Sequence, residues 1–469
     1  MTPSQRGSDR AGRVLRGRCL LVLLAALGCR GASTPTEPNA PAPVADVPGP
    51  RRDGVGALAP VPGDTAVDRL IARSQAAVRA NPHNPQGLHA LARAFVRKAR
   101  ESGDPGFYEQ ARDATDRAIE RDANDLEAHQ IRAFVLLQGH RFAEVRSAAE
   151  ALVARAPRMA MPYGLLGDAH MELGDYPAAE RAYQRMVDLR PSLASYARVS
   201  WMRFLLGDLA GAIEAGEQAA GAGSARNPEE TAWALTQLGG LHLNADALDP
   251  ADAAYRSALA AFPNYPAAVF GRARVLEARG DLAGALTLYT QAATASELAE
   301  HLVAQGECLA ALGRQAEATE VFGRFVRLAR RSDRRALALW FATHDRDHAD
   351  AVALARRELT ERPGEVYTQD ALAFALWRAG QLDEAQAMIT RALRLGTLEP
   401  RFHYHAGRIA LSRGDREAAR RSLSDAWRIH PRFERHASAE MRRLLPTLGL
   451  DPDRLLLPDA GEPSPAGAR

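Results

Sequence analysis

From residue 66 onward, apolar positions recur at i, i+3, i+4 and i+7 in short runs separated by polar punctuation. That period puts one apolar stripe on each of a series of helices. The stretch LLGDAHMELGDYPAAERAYQRMVDLRP (165–191) shows the pattern in full, with two striped runs, a Gly174-Asp175 joint and Pro191 at the close. Each run is about as long as a short amphipathic helix and too small to bury its own stripe, so it needs neighbours to pack against. Glycine ends a helix in the left-handed conformation, the aspartate after it suits the turn and caps the next helix, and proline stops that helix.

The pattern repeats. The small residue opening each second helix stands at Ala179, Ala212, Ala251, Ala285, Ala318, Ala351, Ala385 and Ala419, at spacings of 33, 39, 34, 33, 33, 34 and 34. Five residues earlier come Gly174, Gly207, Gly280, Gly313, Gly380 and Gly414, and seven residues after comes another alanine in most units. Proline closes several units, as at Pro157, Pro191, Pro263, Pro363 and Pro431.

Carried by Leu166, Gly167, Gly174, Ala179, Tyr183 and Pro191, this unit resembles the tetratricopeptide repeat (TPR) family. The resemblance implies an all-α fold, an α-solenoid of about ten helix-turn-helix units coiled as a right-handed superhelix and stabilised by nearest-neighbour contacts. The units run 84–123, 124–157, 158–191, 192–228, 229–263, 264–297, 298–330, 331–363, 364–400 and 401–434. With a capping helix at 66–81 and another at 435–446, the array is expected over 66–447. The insertions at 101–106 and 221–228, and Arg346 where the eighth unit lacks its turn glycine, mark places for bends or loop excursions.

Ahead of the array, arginines at 6–18 precede the apolar run CLLVLLAALGC (19–29), which is far shorter than the roughly 20 residues a membrane-spanning helix needs. A basic region followed by a short apolar core reads as a secretory signal, residues 1–28. Ala26-Leu27-Gly28-Cys29 resembles the lipobox of bacterial lipoproteins. That resemblance implies lipidation of Cys29 and, with Arg30 rather than aspartate after it, an outer-membrane address. Residues 29–65 are rich in Pro, Ala and Gly and read as a disordered tether, and 448–469 as a disordered tail.

Charge and chemistry narrow the function further. The net charge is +3, but the first 28 residues carry +4, so the remainder sits near −1 and argues against nucleic-acid binding. No P-loop, HExxH, CxxC pair or GxSxG elbow is present, so no enzyme activity and no cofactor are expected. The histidines of HDRDH (His344, His348) straddle a turn where polar residues face water, and in HYH the register puts His403 toward packing and His405 toward the concave side. Neither pair reads as a metal site. Cys308 falls on a small-residue packing position and reads as a core cysteine.

In the TPR family the first helix of each unit lines the concave groove. Carried onto this sequence residue by residue, that register selects Trp201, Phe204, Trp233, Phe270, Trp340, Tyr367, Phe374, Trp377 and Tyr404. Arg198, Arg274 and Arg408 join them, with Asp168, Gln237, Glu307 and Arg378 as further polar candidates. Large rigid side chains dominate binding energy, so such a groove suits an extended or helical peptide with apolar anchors. The expectation is an envelope-anchored scaffold for a protein or peptide partner, tied to the membrane by its lipid alone and resembling in layout the lipoproteins that assist envelope-complex assembly. Two alternatives stand beside it: an accessory or substrate-recognition subunit of an envelope enzyme, and a plain secreted repeat protein without lipid.

Overall fold

The computed structural model describes residues 56–457. The signal segment, Cys29, most of the tether and the end of the tail lie outside the described residues. Within them the chain forms twenty-two α-helices, α1 (Ala66–Ala80) to α22 (Arg435–Thr447), and no strand. Even-numbered helices α2 to α20 open the ten units, odd-numbered α3 to α21 close them, and α1 and α22 cap the ends. None of these helices is long and apolar enough to cross a membrane.

The turn chemistry follows the sequence pattern. The turn glycines named above have φ between 75 and 85°. Asp175, Asp208, Asp281 and Asp415 each accept a hydrogen bond from the backbone N–H three residues on, capping the next helix. Three units without a turn glycine reach the same left-handed conformation with His140 (φ 58°), Asp246 (φ 55°) and Asp345 (φ 53°). In the eighth unit, therefore, Asp345 does the work of the missing glycine, next to Arg346.

Helices within a unit, and in one case those of successive units, approach closely because glycine faces an aromatic ring. A Cβ on Gly167 would fall within the ring of Tyr183, and Cβ atoms on Gly239 or Gly271 within that of Tyr255. The phenol of Tyr183 donates to Asp168 at 2.9 Å, and Arg198 grips the same carboxylate at 2.8 and 2.7 Å.

Both ends of the array carry docked segments that composition assigns to disorder. Ala57 is fully buried, its N–H donates to Asp113 at 2.6 Å, and Gln75 donates to the carbonyls of Ala57 and Ala59. Residues 56–64 therefore lie against α1 and α3 (Gly106–Arg121) rather than in a tether. At the other end Trp427, fully buried, donates its indole N–H to Pro452 O at 2.9 Å, so 448–457 packs as well. Apolar side chains hold both segments as well: Ala57, Leu58 and Val61 pack into the core at one end, and Leu448, Leu450 and Leu455 into the core at the other.

The superhelix also closes on itself. Turns of the early units meet the linkers of units about one superhelical turn later. Arg362 donates to His140 at 2.6 Å and pairs with Glu172 at 3.2 Å, while Val366 N–H donates to the Tyr176 hydroxyl. Thr397 donates to Leu205 O at 2.5 Å, and Arg432 grips Asp246 at 3.1 and 2.6 Å. At two places no side chain intervenes: a Cβ on Gly174 would enter the backbone of Gly364, and one on Gly207 would meet Gly396 O. Three of these contacts span 190, 192 and 186 residues, or roughly five and a half units of 34. Tyr176, Tyr183, Met202, Leu205, Val366 and Phe402 form one apolar cluster across this seam.

Candidate functional site: the central cavity

Because one superhelical turn rests on the next, the inner face borders a half-open cavity of about 1000 Å³. Its wall is built from successive first helices. Helix α8 (Leu193–Leu205) supplies Trp201, and α12 (Pro266–Ala278) supplies Phe270, Arg274 and Glu277 at i, i+4 and i+7. Glu300, Val303 and Glu307 come from α14 (Ala299–Ala311), and Arg335, Leu339 and Trp340 from α16 (Arg334–Thr343). Tyr367 opens α18 (Val366–Arg378), Glu399 and Arg401 flank the start of α20 (Pro400–Ser412), and residues 430–436 with Ser438 complete the wall.

The aromatic part centres on Trp201 and Tyr367. Their rings stack at 6.1 Å with an interplanar angle of 15°, and Trp201 is 36% exposed. Arg335 and Arg401 each lie over the Tyr367 ring at 5.8 Å. The Tyr367 hydroxyl donates to Glu399 at 3.3 Å, and burial raises the pKa of that carboxyl above the usual range. Phe270 packs against Tyr289 and His301 on its own stretch of wall.

Most charges in the wall are already paired. Arg335 holds Glu365 at 3.3 Å, Arg362 holds Glu172 and Arg401 holds Asp370 at 3.4 Å. Arg432 holds Asp246, and Arg435 holds Glu277 at 2.8 Å while donating to Glu307 O at 2.8 Å. Arg274 makes no hydrogen bond or ion pair among the described residues, and its charge acts on Glu399. Two buried polar atoms of lining residues, Trp340 Nε1 and Ser438 Oγ, also lack a partner there.

Of the twelve residues the groove register selects first, the structure brings Trp201, Phe270, Trp340, Tyr367 and Arg274 to this cavity, joined by Gln237 and Glu307 from the further polar candidates. Trp340, at 7% exposed, joins its wall from between Phe322, Phe325 and Arg346. The other seven lie elsewhere. Phe204 is fully buried with Ala212 and Leu241, and Trp233 packs with Tyr265 and Phe262. Phe374 stacks on His405 at 3.7 Å, and His405 is held by Asp370 at 2.7 Å. Trp377 donates to Ser412 at 2.7 Å beneath Arg378 and Arg408, while Tyr404 and Arg408 both bind Glu440. Arg198 is spent on Asp168.

For Phe374 and Trp377 the displacement has one cause. Helix α18 is buried along nearly its whole length, from Val366 to Trp377 apart from Tyr367, because the seam covers its start and its neighbours cover the rest. A groove register assumes one solvated face, and α18 has almost none.

Residues outside the selection but in the wall include Glu277, Arg335, Glu399, Arg401 and Arg435. Glu277 was within reach of the sequence, seven positions after Phe270 on one helical face. Arg435 was not, since only the closing of the superhelix brings it to α12.

The other weighed residues have structural partners. His344 bonds Glu307 at 2.6 Å and His348 bonds Asp345 at 3.1 Å. Cys308 is fully buried, its thiol bonds Leu282 O at 3.3 Å, and burial pushes it up to about 11.

A sequence profile described as tetratricopeptide repeat matches residues 132–194, 165–227, 241–300 and 371–432. No curated protein matches the chain. Among solved structures, it is similar to human IFIT1 in a dimer with PPP-AAAA, at 11% identity and TM-score 0.45, covering 76% of this chain and 90% of that one. It is also similar to PilW, a type IV pilus biogenesis factor, at 17% identity and TM-score 0.37, covering 43% of this chain and 92% of that one. A third likeness, at 19% identity and TM-score 0.32, is to a tetratricopeptide repeat protein from Parabacteroides merdae, covering 54% and 99%.

Proposed function

The chain is built of tetratricopeptide repeats, and on that premise we propose that it is a protein-interaction scaffold whose central cavity receives a short peptide segment of its partner. The observation that carries this reading is the half-exposed Trp201, stacked on Tyr367 at the edge of a cavity of about 1000 Å³. That volume is at the upper end of what drug-sized ligands occupy. It admits a few residues of chain and excludes a folded domain, so the partner offers a segment and keeps its body outside. A large aromatic side chain that is already ordered by a neighbour gives up little freedom on binding, which favours it as an anchor.

The N-terminal sequence adds an address to this reading. A lipid on Cys29 followed by a Pro/Ala/Gly-rich tether would hold the solenoid at the envelope, where it would aid assembly of a larger complex. Two experiments test the two parts separately. Partners captured from envelope extracts by the full chain should be lost, about tenfold or more, when Trp201→Ala is the bait and circular dichroism is unchanged. Retention of the same partners at the same yield would remove the cavity from the account. For the anchor, intact-mass analysis of the mature protein should show a diacylglyceryl Cys29 as first residue, and a free thiol there would leave a soluble secreted scaffold.

A further inference from the structure

We propose that the linker edge of units 2–4 is a membrane contact, where Arg155, Arg158, Arg190 and Arg226 meet the headgroups of an anionic phospholipid surface. The proposal goes beyond the cavity reading and needs neither the cavity nor a lipid on Cys29.

The seam defines this edge. The turns of units 2–4 rest in the seam, on His140, Gly174 and Gly207. Their linkers lie a helix length of about 20 Å away, at the outer end of the superhelix. Linkers inside the seam carry glycine at the contact, as at Gly364 and Gly396, or an arginine already held by a carboxylate, as Arg362 is by Glu172 and Arg432 by Asp246. The outer linkers instead carry Arg158, Arg190 and Arg226, with Arg155 at the end of its helix. All four are exposed, and none makes an ion pair among the described residues; Arg155 donates to Asn124 alone. Counting each linker with the helical turn on either side, the carboxylates are Asp188, Glu229 and Glu230. Arg100 takes Glu229 at 2.7 Å and Glu230 at 3.9 Å, so four unpaired guanidiniums stand against Asp188. The strip stops at unit 1, where Glu120 and Asp122 flank Arg121.

Two observations favour a lipid surface as the occupant. The charges come from three successive linkers at one end of the superhelix and are spread along an edge instead of gathered in a pocket. Such a strip matches a broad anionic surface, and each guanidinium fork matches a phosphate. The path of the chain gives the second. Thr65 and Asp68 sit together where α1 begins, at the turn edge. Going back from there, Gln75 donates to Ala59 O and Ala57 O, and Arg79, in the last turn of α1, donates to Leu58 O at 2.7 Å. A Cβ on Gly56 would lie 3.5 Å from the Arg117 guanidinium, towards the end of α3. Both α1 and α3 end at the linker edge, so at residue 56 the chain comes from that side. An attachment upstream would draw this edge, and not the turn edge, towards a bilayer.

The test is titration of the full chain with vesicles of phosphatidylcholine alone or mixed with phosphatidylglycerol, with Cys29→Ser in every sample to keep lipid off the protein. Arg158→Glu with Arg190→Glu alters the edge. Arg420→Glu with Arg421→Glu, on exposed positions of α21 (Arg416–Ile429), makes the same charge change elsewhere. Affinity for the anionic vesicles should fall at least tenfold in the edge variant and less than twofold in the control, with circular dichroism unchanged. High salt should abolish the difference, since exposed charges are screened. The arginines at 6–18 are common to both variants and cancel in the comparison. Equal losses in the two variants, an unchanged edge variant, or the same loss on phosphatidylcholine alone overturns the proposal. If the edge variant keeps its vesicle affinity and loses an acidic protein captured from envelope extract, the edge is a protein interface and the membrane assignment falls. Trp201→Ala should bind vesicles as the unaltered chain does, so this proposal and the cavity reading fail separately.

Discussion

At Gly167 the chain forgoes a side chain so that the Tyr183 ring can occupy the space where a Cβ would sit. Two effects oppose each other if alanine is introduced. Helix propensity favours it by roughly 0.5–1 kcal/mol, and overpacking a filled contact costs about 1–3 kcal/mol. Packing wins, so Gly167→Ala should lower the melting temperature measured by circular dichroism, whereas Gly221→Ala, whose Cβ would meet nothing, should not. The neighbouring Asp168 makes a second case. It is the counter-charge of Arg198 and the acceptor of Tyr183, and removing one member of such a buried pair costs about 3 kcal/mol or more. Asp168→Ala and Arg198→Met should therefore each destabilise, since either leaves the other charge buried and uncompensated, and replacing both together should cost less than the sum. Both residues are groove candidates by sequence register. They had found each other instead, across 30 positions, and no spacing rule indicates that.

Among the elements, the inter-helix turns show what sequence conveys and what it omits. Wherever glycine marks a turn, the structure has a left-handed residue, and the aspartate behind it caps the next helix at Asp175, Asp208, Asp281 and Asp415. At His140, Asp246 and Asp345 a side-chain-bearing residue bears the same strain, of order 1 kcal/mol, and what offsets it differs. Asp345 contacts His348 and, at 3.5 Å, Arg378, in exposed pairs worth little. Asp246 is gripped by Arg432 and by His430 at 2.9 Å. Thermal melts should accordingly show Asp345→Gly as stabilising and Asp246→Gly as destabilising, although both relieve the same backbone. The helices of the array were legible because their period is local. Which first-helix face stays open was not, because on α18 the answer depends on residues some 190 positions away.

The whole molecule is governed by that seam. Small rotations between repeats accumulate until turn meets turn, and no single unit records the sum. Replacing Gly174 by valine should force the turns apart at Gly364, raising the radius of gyration in small-angle scattering while helicity is retained. Acid should loosen the same contact. Desolvation at the junction and then the Arg362 guanidinium push His140 down to about 4. Its contribution is present above the ordinary histidine value of about 6.5 and is lost as pH falls from there towards 4, because the open chain takes up the proton first. At Asp246 burial acts to raise the pKa but is outweighed by His430 and Arg432, leaving it lowered. That contribution lies above the ordinary aspartate range and disappears as pH falls through the lowered value. Scattering from pH 7 down to 4 should show expansion beginning near 6.5, and His140→Gln should flatten this first phase.

The seam also constrains how the array can grow or shrink over evolutionary time. In an open solenoid, losing one internal unit shortens the rod and leaves the remaining neighbours as they were. Here Tyr176 must arrive opposite Val366 and Leu205 opposite Thr397, so every unit between them is counted. Excising the sixth or seventh unit would leave each junction intact yet set His140, Gly174 and Asp246 against the wrong linkers. Duplications and deletions that are neutral elsewhere in such arrays would be purged between these positions and tolerated at the two caps.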